Sequence, residues 1–398
     1  MFPISDIFRL HPLSLLFCSM LALSFSSVEG FAQKITPEMY ARSVVSEGNT
    51  ARLEHLFRKA REGKPITVAV IGGSITAGAK ATTWEKAYGN LVANWWRAQF
   101  PMAKITYVNA GIGATGSDYG ALRAGRDLLN HKPDFVVVEY AVNDGSSPYF
   151  QETLEGLLRQ ILHQPNHPAI VMLFMMNNMG GNAQESQIKV GSHYYVPMIS
   201  YRDAFWPEIE SKRMDKSVIF ADEVHPNDTG HADVAELLDH YLQGVLDQTP
   251  SKGALPSIPP VPSPLISDQY AHVRLYGVDN LQPTVNQGWE KNEKGQFWES
   301  ITPGSVLDFK VSGKQLLISF FRIRGDMGRA SVQVDHLPAL TLDGWFDQTW
   351  GGYLVTQLIA KNLSSGSHNI RIELLNDKDP QSAGNDFKVY YIGAAGVK

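Results

Sequence analysis

The sequence predicts an α/β protein: a flavodoxin-like three-layer α/β/α domain with a five-stranded parallel sheet, followed by a C-terminal β-sandwich of jelly-roll style. Three observations carry this. From Ile66 to about Gln248, short β-branched runs alternate with longer amphipathic stretches, as strands joined by crossover helices do. Between Thr249 and Pro264 the composition turns to proline and serine, with Pro250, Pro256, Pro259, Pro260, Pro262 and Pro264. Beyond that stretch the apolar period becomes two, and no comparable helical pattern appears.

The chain opens on an expected export signal over residues 1–32. Arg9 precedes the apolar run Leu13–Leu23, and Gly30-Phe31-Ala32 offers small residues for cleavage near Gln33. That run is too short to span a bilayer comfortably, so the mature chain is expected to be secreted or periplasmic, without a transmembrane span. Cys18, the only cysteine, lies in this segment. The mature fold therefore cannot rely on disulfides, a cysteine nucleophile or a thiolate metal site. The formal net charge of −5, without a basic stretch, argues against nucleic acid as a partner.

An α/β domain is expected over 33–248, with strands at Ile66–Ile71, Ile105–Val108, Phe135–Tyr140, Ile170–Met175 and Val218–Phe220. Right-handed crossovers bring the C-terminal ends of such strands to one sheet edge, where α/β enzymes keep reactive groups. After the first strand, Gly72-Gly73-Ser74 delivers a serine into a turn. After the second, Asn109-Ala110-Gly111-Ile112-Gly113-Ala114 supplies backbone N–H groups. After the third come Asn143 and Asp144, and after the last, Asp222 and His225 three residues apart. Together these offer a nucleophile, two kinds of oxyanion donor, a base and its orienting acid. A serine hydroxyl is a poor nucleophile at neutral pH, so Ser74 requires a base such as His225, and Asp222 would fix the imidazole tautomer. Asn227, Asp228 and Thr229 can cap a closing helix on which Ala232, Ala235, Leu238, Tyr241, Leu242 and Val245 recur at helical spacing.

Several neighbouring features read as structural. Asp144 is a turn former, and His231 packs or caps. His163 and His167 are separated by Pro165, which breaks the helix face a metal pair would need. Met172, Met175, Met176 and Met179 read as core and pocket lining.

A linker is expected over 249–264 and a sandwich over 265–398. Its strands include Val306–Val311, Leu316–Phe321, Ala330–Val334 and His368–Leu374. Among Trp289, Trp298, Trp345 and Trp350, the last two bracket the loop Phe346–Thr349 and are expected to be exposed, where an indole face can stack on a sugar ring. The alternative for any one tryptophan is core or interface packing.

The ordered blocks around Ser74, Gly113, Asn143 and His225 resemble the SGNH (GDSL-type) hydrolase family, whose name lists those four residue types. The match departs from the family pattern at Gly73, where aspartate is usual, at Ala141, where glycine opens the Gly-x-Asn-Asp run, and at Ala114, where the oxyanion glycine falls. The resemblance implies a catalytic domain over 33–248 with Ser74, Asp222 and His225 as its triad. It also implies an oxyanion hole from the N–H of Ser74, that of Gly113 or Ala114, and the side chain of Asn143. No metal or organic cofactor is required. The expected function is an exported serine esterase removing O-acetyl groups from an acetylated oligo- or polysaccharide through an acyl-serine. A polysaccharide O-acetyltransferase and a non-catalytic glycan-binding protein are the alternatives.

Overall fold

The computed structural model describes residues 34–397, and the expected export signal lies outside the described residues. The first sheet contains β1 (Val44–Ser46), β2 (Ile66–Gly72), β3 (Ile105–Gly111), β4 (Phe135–Glu139), β5 (Ala169–Phe174) and β6 (Met198–Ser200). Their order is β1-β6-β5-β4-β2-β3. β2 to β6 are parallel, and only β1, on the outer edge of β6, runs antiparallel. Numbered by themselves, the five parallel strands follow the order 2-1-3-4-5, the flavodoxin-like winding.

The two faces of this sheet are read directly from residue alternation. Val68, Val70, Phe135, Val137, Val171 and Leu173 enter one core, shared with Phe57, Trp96 and Leu238 of flanking helices. Their neighbours Ala69, Ile71, Val136, Val138, Ile170 and Met172 enter a second core, under the helices Ser117–Asp127 and Pro148–Leu162. A strand buried on both faces must be apolar throughout, which is why β4 begins Phe-Val-Val-Val.

One expected strand is not formed. Lys216–Val218 winds into a 3-10 turn, capped by Asp215, whose carboxylate accepts from the Ser217 N–H at 2.8 Å. Phe220 makes only an isolated bridge, to Pro226. The fifth parallel position is taken instead by β6.

The C-terminal part is a sandwich of two antiparallel sheets. One runs in the order Tyr353–Ala360, Gln315–Arg322, Phe387–Ala395, Phe297–Ser300, Glu290–Asn292, with Val273–Tyr276 also pairing to Phe387–Ala395. The other runs Leu340–Asp343, Arg329–Val334, Ser367–Leu374, Val306–Ser312, Val285–Gln287. Their inward residues, Trp298, Phe309, Ile318, Ile370 and Phe387 among them, form a third core.

The sandwich packs onto the α/β part through the second core. Leu317, Ala395 and Tyr270 join the second core beside Leu122 and Leu158. The fit needs two glycines: a Cβ on Gly393 would lie 2.4 Å from Leu122, and one on Gly156 would lie 2.1 Å from Tyr270. Residues 249–264 run along the α/β part with carbonyls held by its side chains. Arg58 donates to the carbonyls of Pro250 and Gly253, and Arg159 to that of Pro262. A proline-rich segment offers many acceptors and few donors, so arginine is the natural partner.

Candidate active site

Four turns at the C-terminal edge of the sheet build the site. β2 ends at Gly72, and Gly73 caps a four-residue helix, Ser74–Ala77, that begins with the candidate nucleophile. A Cβ on Gly73 would lie 2.1 Å from Oδ1 of Asn143, so any side chain here requires the Asn143 amide to move. The departure from the Gly-Asp-Ser pattern is thus coupled to the position of Asn143, whose amide lies against Gly73.

Ser74 Oγ is 2.8 Å from His225 Nε2. His225 Nδ1 lies 2.9 and 3.0 Å from the two carboxylate oxygens of Asp222. The loop that presents His225 is locally determined: Asp222 Oδ1 also accepts from the backbone N–H groups of Val224 and His225, at 2.9 and 2.8 Å. The Ala221 N–H closes onto the His225 carbonyl at 2.9 Å. Asn227 then caps the helix Asp228–Gln248, its Oδ1 accepting from the Gly230 N–H at 3.0 Å. Partial burial pushes the Asp222 carboxyl up, but the Val224 and His225 amides and the imidazole outweigh it and bring it down to about 2. Asp222 is therefore an anion at neutral pH. Lys80 Nζ stands 3.6 Å from its other oxygen, a half-exposed contact of little energetic weight.

Two of the candidate oxyanion donors lie close to the nucleophile turn, the Asn143 amide against Gly73 and Gly113 beside Ser74. A Cβ added to Gly113 would meet only the Ser74 Cβ, at 3.8 Å, so Gly113 faces the nucleophile across open space. Ala114 has φ +55°, the left-handed conformation that favours glycine, and holds it at a cost of about 1–2 kcal/mol. The fold thus keeps a glycine conformation at the position where the sequence has alanine.

Asp144 has a larger part than turn formation. It is buried, accepting from the Ser117 N–H at 2.7 Å and from Gln187 Nε2 at 2.9 Å, and so ties the Asn143 turn to the helix that follows Gly116. Burial, with Asp118 nearby, pushes its carboxyl well above the usual range. His231 is buried as packing, its Nε2 3.0 Å from the Ala79 carbonyl. Met172, Met175 and Met176 are core, while Met179 stands 76% exposed on the loop after β5. Among the described residues no group of three or more His, Cys, Asp or Glu is placed to hold a metal ion.

The two expected surface tryptophans separate. Trp350 is 59% exposed, but Trp345 is buried at 7%. Trp345 pairs with Ile323 in a parallel bridge, and its carbonyl accepts from Arg322 at 2.7 Å, so the turn folds its ring inward. Trp350 joins Phe346 and Tyr353 with ring centroids 4.9 to 5.3 Å apart. Tyr353 in turn lines a cavity of about 140 Å³ whose other wall includes Ala114, Gly116 and Asn143. The sandwich thus forms one side of a cleft that reaches the candidate oxyanion donors.

The chain matches known proteins over these elements. The family model for GDSL-like Lipase/Acylhydrolase matches residues 70–232. A two-domain esterase active on acetylated mannans has a crystal structure that is similar at a TM-score of 0.84 and 29% identity, over 90% of this chain and 99% of that one. A second crystal structure described in the same words, co-crystallized with mannopentaose, is similar at 0.81 and 29%, over 90% and 98%. Thioesterase 1/protease 1/lysophospholipase L1 of Escherichia coli K12 is 25% identical over 189 residues, 46% of this chain and 85% of that protein.

Proposed function

We propose, for a chain that carries a GDSL-like lipase/acylhydrolase domain over residues 70–232 and is a serine ester hydrolase, that it removes O-acetyl groups from a carbohydrate through an acyl-enzyme on Ser74. His225 Nε2 takes the Oγ proton as the hydroxyl attacks the acetyl carbonyl, and Asp222 holds the imidazolium that results. The tetrahedral oxyanion accepts from the Ser74 N–H, from that of Gly113 or Ala114, and from the Asn143 amide. Collapse expels the sugar oxygen, which takes the imidazolium proton. Water, deprotonated by the same imidazole, then releases acetate and restores Ser74.

The reading rests on the Ser74–His225–Asp222 chain of contacts, each within hydrogen-bond range. The carbohydrate assignment is supported by the cleft wall at Tyr353 and the exposed Trp350 beside it, since sugar rings stack on aromatic faces. It is also supported by the likeness to an acetyl-mannan esterase across both parts of the chain. We also propose the division into a catalytic part to residue 248, a linker over 249–264 and a sandwich beyond, and export directed by residues 1–32.

The test is acetate release from acetylated mannan, from acetylated xylan and from a small aryl acetate, with Ser74→Ala beside the parent. Ser74→Ala is expected to lose about 10³-fold or more in kcat. Trp350→Ala is expected to raise KM on the polymer and leave the aryl acetate unchanged. Near-normal turnover by Ser74→Ala would overturn the acyl-serine, and aryl acetate hydrolysis without release from either polymer would overturn the carbohydrate assignment.

A further inference from the structure

β4 is apolar until its last residue, Glu139, which has no solvent exposure. A carboxyl in the centre of a doubly covered sheet is costly unless something uses it. Its surroundings are all parts of the site. Glu139 Oε2 accepts from Thr76 Oγ1 at 3.2 Å, and Thr76 Oγ1 is itself 2.8 Å from the Tyr88 hydroxyl. Thr76 lies on the short helix begun by Ser74. The backbone amides of Val142, Gly73 and Ala141 favour the charged carboxyl, and Oε1 has no hydrogen-bond partner among the described residues. Gly73 precedes Ser74, and Val142 precedes Asn143.

We propose that Glu139 is a positioning residue whose carboxyl, buried beneath the site, fixes the Ser74 helix and the Asn143 turn relative to one another. Gly72 pairs with Glu139 in the sheet, and a Cβ on Gly72 would lie 2.2 Å from Thr76 Oγ1 and 2.4 Å from the Glu139 carbonyl. Helix and strand end therefore meet at a glycine, and beside Ile75 in the core and the Asn109 amide on the Thr76 carbonyl, the Glu139 carboxyl is the group that bonds the helix from beneath. The charged and titratable groups do not compete for the role. Arg123, on the other face of β2, donates instead to the Gly72 carbonyl at 3.2 Å and to Tyr140 at 3.1 Å. Tyr88 and Tyr140 are the neighbouring ionisable groups. Burial, offset in part by Thr76 and the amides, raises the Glu139 carboxyl to about 7, so a neutral acid is accessible to it.

This rests on Ser74 as nucleophile, and the experiment separates the two claims. Glu139→Met keeps the volume and removes the acceptors; Glu139→Gln keeps a carbonyl acceptor. Both are compared with the parent and Ser74→Ala on an aryl acetate, with rates expressed per serine titrated by an aryl phosphonate. Glu139→Met is expected to lose about 10²-fold in kcat with KM within twofold and its melting temperature not lowered, because misplacement near the reacting atoms costs rate before it costs stability. Glu139→Gln is expected to recover at least tenfold of that loss. Parent-like kcat per titrated site in Glu139→Met, or no recovery in Glu139→Gln, overturns the positioning role while Ser74→Ala remains inactive. An active Ser74→Ala instead overturns the nucleophile, and with it the premise.

Discussion

Gly73 constrains the site from the position before the serine. The Asn143 amide occupies the volume a side chain would need, so Gly73→Ala must push either the nucleophile turn or the oxyanion donor aside. The expected result is a loss of about 10²-fold in kcat on an aryl acetate with little change in melting temperature, since the displaced groups are partly exposed. Parent-like kcat would mean that Asn143 relaxes without consequence. Ser74, Asp222 and His225 were legible in the sequence because each sits beside a strong local determinant: a Gly-Gly turn, or a carboxylate three residues from the histidine whose loop it closes. Glu139 carried a signal of its own, a lone charge ending an apolar run, which residue pattern alone does not link to Thr76. The burial of Trp345 had no such signal. Two tryptophans bracketing a polar loop look alike, and only the parallel bridge to Ile323 turns one inward.

At the scale of elements, length decided what could be read. β2, β4 and β5, with four or more consecutive apolar residues, have the expected places, as do the four sandwich strands named from their period of two. The three-residue segments β1 and β6 carry too little pattern, and Val218–Phe220 looked equally strand-like but lies where Asp215 caps a turn. Tertiary context chooses among such short runs. The same context explains how the proline-rich segment is secured. Glu155, fully buried on the helix Pro148–Leu162, accepts from the N–H groups of Leu265, Ile266 and Ser267 and from the Tyr194 hydroxyl. Glu155→Ala leaves those donors unpaired and is expected to cost about 3 kcal/mol. Limited proteolysis should then cut within residues 249–268 faster than in the parent. Unchanged cleavage and melting temperature would show that the arginine contacts to Pro250, Gly253 and Pro262 suffice by themselves.

For the whole molecule, buried acids set how stability responds to pH. Burial raises Asp118 to about 6, Glu139 and Asp233 to about 7, and Asp239 to about 8, with Glu236 adding repulsion at the last two. Each binds its proton more tightly in the folded chain than in the unfolded one. Between the ordinary carboxylate range and these raised values the folded state therefore carries more protons, and stability falls as pH rises. Asp222 and Asp228 act in the opposite sense, because hydrogen bonds that outweigh burial bring both to about 2. Their contribution is complete above the ordinary range and is lost only as pH falls toward 2. The two sets place the maximum of melting temperature within the ordinary carboxylate range, at about pH 4, with a decline toward about pH 8. Differential scanning fluorimetry at constant ionic strength measures this, and Glu139→Gln with Asp239→Asn should flatten the decline. A melting temperature that rises from pH 5 to 8 would mean that these carboxyls are ionised in the folded chain at little cost.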